Sequence, residues 1–198
     1  MTALPDVVPG APTASARPAV EADIERIAEF YSGAVSELSV MRGGRVLIGL
    51  NGRDGSPVSS FAKQLATERE LVVVGLLGGV AGSAGHLVGD AVSDGTGPGA
   101  GMVGYGLVSY GMVGYGTCRL LELSDGERVG SVGDLYVVPE ARRHGVGKAM
   151  ADYIVSWCAE QGCIGVDADA LPGSRAVKSF FEAGGFTARV LVMHRRLT

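Results

Sequence analysis

At 198 residues and a formal net charge of −4, the chain is long enough for one sizeable core and lacks the basic excess that non-specific nucleic-acid binding requires. Its three cysteines, Cys118, Cys158 and Cys163, are odd in number and lack zinc-ligand spacing, which fits reduced thiols in a cytoplasmic protein and no metal centre. Residues 1–14 have neither the basic stretch nor the apolar core of a secretory signal and read as a disordered Pro/Ala tail, leaving 15–198 as one domain.

In chain order, Ser15 to Ala19 is expected as a short strand. Ile24, Ile27, Ala28, Tyr31, Ala34, Val35 and Leu38 then mark one face of a helix. Residues 42–55 are glycine-rich around a short apolar run, Val46–Leu50; Arg42, Arg45 and Arg53 there suit either a solvated loop or a guide for an anionic substrate. Phe61 and Leu65 predict a helix over 58–69, and Leu71–Val74 is a β-branched strand. From Leu71 to Cys118 the only charged residues are Asp90 and Asp94, and Gly101-Met-Val-Gly-Tyr-Gly106 recurs as Gly111-Met-Val-Gly-Tyr-Gly116. Two stretches here, 71–89 and 99–118, approach the length of a membrane span, but glycine in place of Leu, Ile or Phe gains little from insertion. The expected alternative is an expanded, partly duplicated turn over 80–110, between the second and third strands. A hairpin of the two copies would be one way to cover a second subunit in a homodimer.

Thr117–Leu123 and Val129–Val138 are predicted strands joined by the Ser124–Glu127 turn. A helix follows over about 145–161, stopped by Gly162, and then a strand over Cys163–Ala168. After the Leu171-Pro172-Gly173 turn, Ser174 to Gly184 predicts a helix with Ser174 as its N-cap, and Ala188 to Leu197 alternates like a half-buried strand.

The most informative stretch is Arg142-Arg143-His144-Gly145-Val146-Gly147-Lys148, which links an apolar strand to a helix. The first N–H groups of a helix have no internal partner and carry the positive end of its dipole. Glycines at 145 and 147 permit close approach by a phosphate, while Arg142, Arg143 and Lys148 add charge. A Walker A loop is excluded, because Ala149 follows Gly147-Lys148 and Arg142 stands where its first Gly belongs. A Rossmann fingerprint is excluded by the missing third Gly and by the position in the chain.

Arg142-x-x-Gly145-x-Gly147, following Leu135-Tyr136-Val137-Val138-Pro139, resembles the acetyl-CoA motif of the GNAT superfamily of N-acetyltransferases. Downstream, Ser174 to Phe186 is similar to the family's fourth-helix signature, with Ser174 for Asn, Val177 for Ala, Phe181 for Tyr, and Gly185-Phe186 kept. The resemblance spans most of 15–79 and 111–197, and its specific motifs lie after 129. It implies an α/β (α+β) fold: a mixed, mostly antiparallel sheet flanked by helices, here with a Gly-rich insertion between the second and third strands. It further implies that the backbone of Leu135, Tyr136 and Val137 bonds the pantetheine arm of acetyl-CoA, where a bulge splays this strand from its neighbour. The amides of Arg143, His144, Gly145, Val146, Gly147 and Lys148 would hold the pyrophosphate, His144 would flank it, Ser174 would contact the arm, and Phe181 would stand beside it.

Direct transfer to an amine needs a base for the ammonium proton, and a proton helps the thiolate leave. The family often supplies the latter from the Tyr replaced here by Phe181, which leaves Tyr136, water or unassisted departure. For the base, Asp169 at the end of the fifth strand comes first, with Asp167 on the same strand, then Asp134, then Glu122; each is equally readable as a solvated strand-end carboxylate. His194 reads as a packing residue rather than a base. The implied activity is acetyl transfer to a primary amine of a small molecule or peptide, and the alternative is a non-catalytic acyl-CoA-binding module.

Overall fold

The computed structural model describes residues 12–53, 55–80, 108–195 and 197; the tail over 1–11, most of the 80–110 stretch and the first Gly-Met-Val-Gly-Tyr-Gly copy lie outside the described residues. Among the described residues five strands form one sheet in the order β1 (Thr13–Pro18), β2 (Glu70–Val80), β3 (Val108–Glu122), β4 (Arg128–Val137) and β5 (Cys163–Ala168). Neighbours from β1 to β4 are antiparallel, and β5 lies parallel to β4. This is the mixed, mostly antiparallel α+β arrangement expected.

The two-residue period of the strands decides which helix covers which face. On β2, Val72 and Val74 face α1 (Ile24–Ser39) and α3 (Pro57–Leu65), where Ile24, Ile27, Phe30, Phe61 and Tyr115 of β3 complete a buried cluster. Leu71 and Val73 face the other way, beneath Val146, Met150, Ile154 and Cys158 of α4 (Val146–Glu160). At about 1.5–3 kcal/mol for each large side chain fully buried, these two layers outweigh the surface ion pairs in holding the fold.

α1 starts where Asp23 accepts the Val20 N–H (2.8 Å) and pairs with both terminal nitrogens of Arg17 (2.7 and 2.9 Å). Burial opposes the Asp23 charge, but the bonds from Arg17 and Val20 outweigh it and hold the carboxyl below its ordinary value. α3 starts at Ser56, whose hydroxyl accepts the Ser59 N–H, with Pro57 in the first turn.

Three parts differ from the sequence expectation. Residues 42–55 contain a helix, α2 (Gly44–Leu50), entered through Gly43; seven residues show too little periodicity to be read. β2 and β3 run on to Val80 and from Val108, so the second Gly-Met-Val-Gly-Tyr-Gly copy lies within β3. Gly75 of β2 and Gly114 of β3 allow close packing: a Cβ on Gly75 would lie 2.5 Å from Val146 and 2.8 Å from the Met150 sulfur, and one on Gly114 would lie 2.5 Å from the Tyr136 carbonyl. Among the described residues no helix is long and apolar enough to cross a membrane.

The third difference is the final strand. Among the described residues, 186–195 carry no strand pairing, and Val190, Leu191, Val192 and Met193 are 66–82% exposed. Alternation makes a strand only when a neighbour accepts its backbone and covers one row of side chains, and neither occurs here. Arg189 does reach back to Asp167 on β5 as an exposed ion pair, Nε to Oδ1 at 2.7 Å. α5 (Arg175–Ala183) likewise has no fully buried residue.

Candidate active site

β4 changes partners midway. Gly116 pairs with Leu135 and Cys118 with Val132, so Thr117 alone faces Gly133 and Asp134, and β4 carries one extra residue. The Thr117 hydroxyl accepts the Asp134 N–H at 2.9 Å and fixes this bulge. β5 follows β4 only as far as the Val132–Ala168 pair. Past the bulge, the backbone of Leu135, Tyr136 and Val137 is bonded to β3 on one side and, among the described residues, has no strand on the β5 side. Such an edge can take an extended ligand as if it were another strand.

The slot leads into the turn before α4. Arg143 (φ 67°) and Gly145 (φ 87°) adopt left-handed backbone, and Gly145 is the N-cap. Left-handed backbone is natural for Gly145 and uncommon for Arg143, which marks the turn as specialised. The first amide of this region with a backbone acceptor is Ala149, bonded to the Gly145 carbonyl at 2.9 Å. Among the described residues the six amides from Arg143 to Lys148 have no backbone acceptor. Six N–H groups at the positive end of a 15-residue helix form an anion cradle. Val146, 1% exposed, anchors it to the core.

The neighbouring charges divide. Arg142 turns away from the cradle: its Nε donates to the Val137 carbonyl (2.8 Å), and one terminal nitrogen spans both oxygens of Glu37 (2.7 and 2.8 Å), tying the end of β4 to α1. Lys148 pairs with Asp152 at 2.6 Å on the exposed face of α4. Arg143 and His144 are exposed and make no side-chain bond among the described residues. Of the three cations read from the sequence, Arg143 is thus the one already free to face an anion.

On the opposite face, towards α1 and α3, sits a buried ion pair the sequence did not disclose. Arg53 is 7% exposed; it bonds Asp134 at 2.5 Å and Gln64 at 2.6 Å, and its guanidinium lies 3.8 Å above the Phe61 ring. It is neither a solvated loop residue nor poised for a substrate anion. Tyr115 is fully buried and, among the described residues, its hydroxyl makes no hydrogen bond; burial first, and the nearby Asp134 charge second, raise its pKa far above the physiological range. Tyr136 reaches Glu37 at 3.4 Å, and burial with the Glu37 charge raises its pKa, so the phenol keeps its proton. A cleft of about 350 Å³ opens beside this network, lined by Arg53, Glu70, Thr117, Ser131, Asp134 and Asp169. A smaller hollow at the Arg69–Glu122 end of the sheet holds none of the other candidate residues.

A family model for the acetyltransferase (GNAT) family matches residues 82–186, more than half of the chain. The chain belongs to the GNAT acetyltransferase family. No curated protein matches it. Among solved structures it is similar to glucosamine-6-phosphate N-acetyltransferase from Arabidopsis thaliana, at 16% identity and a TM-score of 0.56, covering 94% of this chain and 99% of that one. It is similar to an acetyltransferase from Trypanosoma brucei, at 18% identity and a TM-score of 0.54, over 93% and 100% of the two chains. An aminoglycoside acetyltransferase from an uncultured soil metagenomic sample, in complex with sisomicin, gives 17% identity and a TM-score of 0.58 over 93% and 95%. At these identities the structural likeness speaks for the GNAT fold alone.

Within the GNAT fold the remaining sequence candidates fall as follows. Asp169 is exposed at the end of β5 and shares the cleft with Asp134, whose carboxylate is already neutralised by Arg53. Asp167 is engaged by Arg189, whose hydrogen bond lowers its pKa. Glu122 lies at the far end of β3, 3.4 Å from Arg69, and His194 is exposed on the unpaired tail. Ser174 precedes α5 without a side-chain cap bond. Phe181 stacks edge-on between Phe180 and Phe186, while Phe180 approaches Gly147, 3.5 Å from where a Cβ would stand. The roles of Glu37, Thr117 and the Arg53–Asp134 pair were not legible, because the partners lie 17 to 105 positions apart.

Proposed function

We propose that this GNAT protein transfers an acetyl group from acetyl-CoA directly to a primary amine of a small molecule or peptide. The observation that carries the reading is the continuity between the unpaired β4 edge at Leu135–Val137 and the six free amides at Arg143–Lys148. An extended amide arm followed by a pyrophosphate fits that sequence of donors and acceptors. Acetyl-CoA supplies the activated thioester when bound. Leu135, Tyr136 and Val137 hold its arm by backbone bonds; the amide cradle, with Arg143, holds the diphosphate; Ser174 and Phe181 flank the arm from α5.

The acceptor amine enters the cleft beside Asp134. Asp169, exposed and free of an ion-pair partner among the described residues, takes the ammonium proton directly or through a water. Asp134, clamped by Arg53, shapes the cleft rather than accepting a proton. Tyr136 or solvent protonates the departing thiolate. The replacement of the customary Tyr by Phe181 favours a second reading, a non-catalytic acyl-CoA-binding module.

A calorimetric titration with acetyl-CoA, CoA and ATP tests the first step: both CoA species should saturate the protein, with ATP at least about tenfold weaker because only the pyrophosphate cradle is shared. Gly145→Glu places a carboxylate on a left-handed turn inside the cradle, and affinity for acetyl-CoA should fall by about a hundredfold or more. Unchanged affinity would overturn the assignment. CoA release with a panel of amines separates the enzyme from the binding module.

A further inference from the structure

The three cysteines, unused by the transfer chemistry, are gathered at one place. Cys118 on β3 and Cys158 on α4 are 2% and 0% exposed, with their sulfurs 3.6 Å apart. Sequence separation is 40 residues, so only the packing of α4 on the sheet brings them together. Gly130 of β4 makes that approach possible: a Cβ there would overlap the Cys158 sulfur and would lie 3.4 Å from the Cys118 sulfur. Cys163, the first residue of β5, is half-buried and packs against the buried cluster that holds both Cys118 and Cys158. The hydrogen bond from Cys158 holds the Cys118 thiol below its ordinary pKa despite burial, while the same bond and burial push Cys158 up. One member of the pair is therefore disposed to be the nucleophile and the other the proton donor.

We propose that Cys118, Cys158 and Cys163 form a thiol relay in which a hydroperoxide entering at Cys163 converts Cys118 and Cys158 to a reversible disulfide that fastens α4 to β3. Burial and then Cys158 raise the Cys163 pKa, so this most accessible of the three reacts through its minor thiolate fraction: it attacks one peroxide oxygen, the O–O bond breaks, and the leaving oxygen takes a proton and departs as water or alcohol. The Cys158 sulfur attacks the resulting sulfenic sulfur, the S–O bond breaks, and the hydroxyl leaves as water with the Cys158 proton. Cys118 attacks the Cys158 sulfur and returns Cys163 to a thiol. Two thiols are oxidised by two electrons, and one peroxide is reduced. The final bond requires the 3.6 Å separation to close to about 2.05 Å, within reach of side-chain rotation.

The test uses the purified, reduced full chain with hydrogen peroxide at pH 8, followed by mass spectrometry and thermal unfolding. The expected product is 2 Da lighter, yields a Cys118–Cys158 cross-linked peptide, and melts about 5 °C higher or more, with reductant reversing all three changes. Cys163→Ser should slow cross-linking at least about tenfold, and Cys118→Ser should stop the reaction at a Cys158–Cys163 disulfide. Oxygen addition at Cys163 with Cys118 and Cys158 still titrating as free thiols after denaturation would overturn the relay. Cross-linking at an unchanged rate in Cys163→Ser would overturn its entry role, a readout independent of whether any variant retains acetyl transfer.

Discussion

Burial and ion pairing give two tyrosines and two aspartates different work. Asp134 and Asp169 open on one cleft, yet only Asp169 lacks an ion-pair partner among the described residues. Asp169→Asn should lower kcat by about a hundredfold or more while leaving acetyl-CoA affinity intact, measured by CoA release and calorimetry. Equal turnover would clear it of the base role. Tyr115 illustrates the opposite situation, a hydroxyl desolvated without a bond in return. Because leaving such a group unpaired costs stability, Tyr115→Phe should leave the Tm unchanged or raise it by about 1–3 °C in a calorimetric melt. A fall of several degrees would mean the hydroxyl is satisfied in solution.

At the scale of elements, α1 depends on a carboxylate at its start. Asp23 titrates below its ordinary value of 3.8 in the folded chain, so it binds fewer protons there than when unfolded. Its contribution is fully present above pH 3.8 and is lost as the pH falls through the lower, folded value. Denaturant melts of the native chain and Asp23→Asn should therefore differ at pH 6 and converge as the pH is lowered below 3.8; a constant difference would refute the linkage. Elements with their own local period were legible in the sequence. α1 and α4 show helical faces, β5 is a bounded strand, and the Gly145-x-Gly147 turn announces itself by residue type. α2 is too short for a period, and the glycines of β2 and β3 hid long strands, since their absent side chains respond to α4 and β4 rather than to local propensity. The final strand was over-read, because Val190 to Met193 alternate without a neighbour to complete them.

At the scale of the molecule, the fold and the strand-to-helix turn proposed to take acetyl-CoA were legible, because the motif that points to both is contiguous in sequence. The cleft proposed for the acceptor was not, because it is assembled from the end of α2, Arg53, α3, the start of β2, β3, β4 and the end of β5. The C-terminal segment contributes little to the packed structure. Among the described residues, a chain ending at Thr187 loses the exposed Arg189–Asp167 pair and no buried side chain, so its Tm should lie within about 3 °C of the full chain. A larger loss would show that Val190–Met193 are covered in solution.

The pairing of Arg53 with Asp134 has a consequence for how such a protein is recombined. The two residues are 81 positions apart, and removing either leaves an opposite charge in a mostly dry setting, at a cost of about 3 kcal/mol. Chimeras that splice this chain to a relative anywhere between positions 53 and 134 inherit one half of the pair from each parent. Such crossovers are tolerated only where the second parent carries the matching charge, so the two positions behave as a single heritable unit despite flanking the glycine-rich stretch in the sequence.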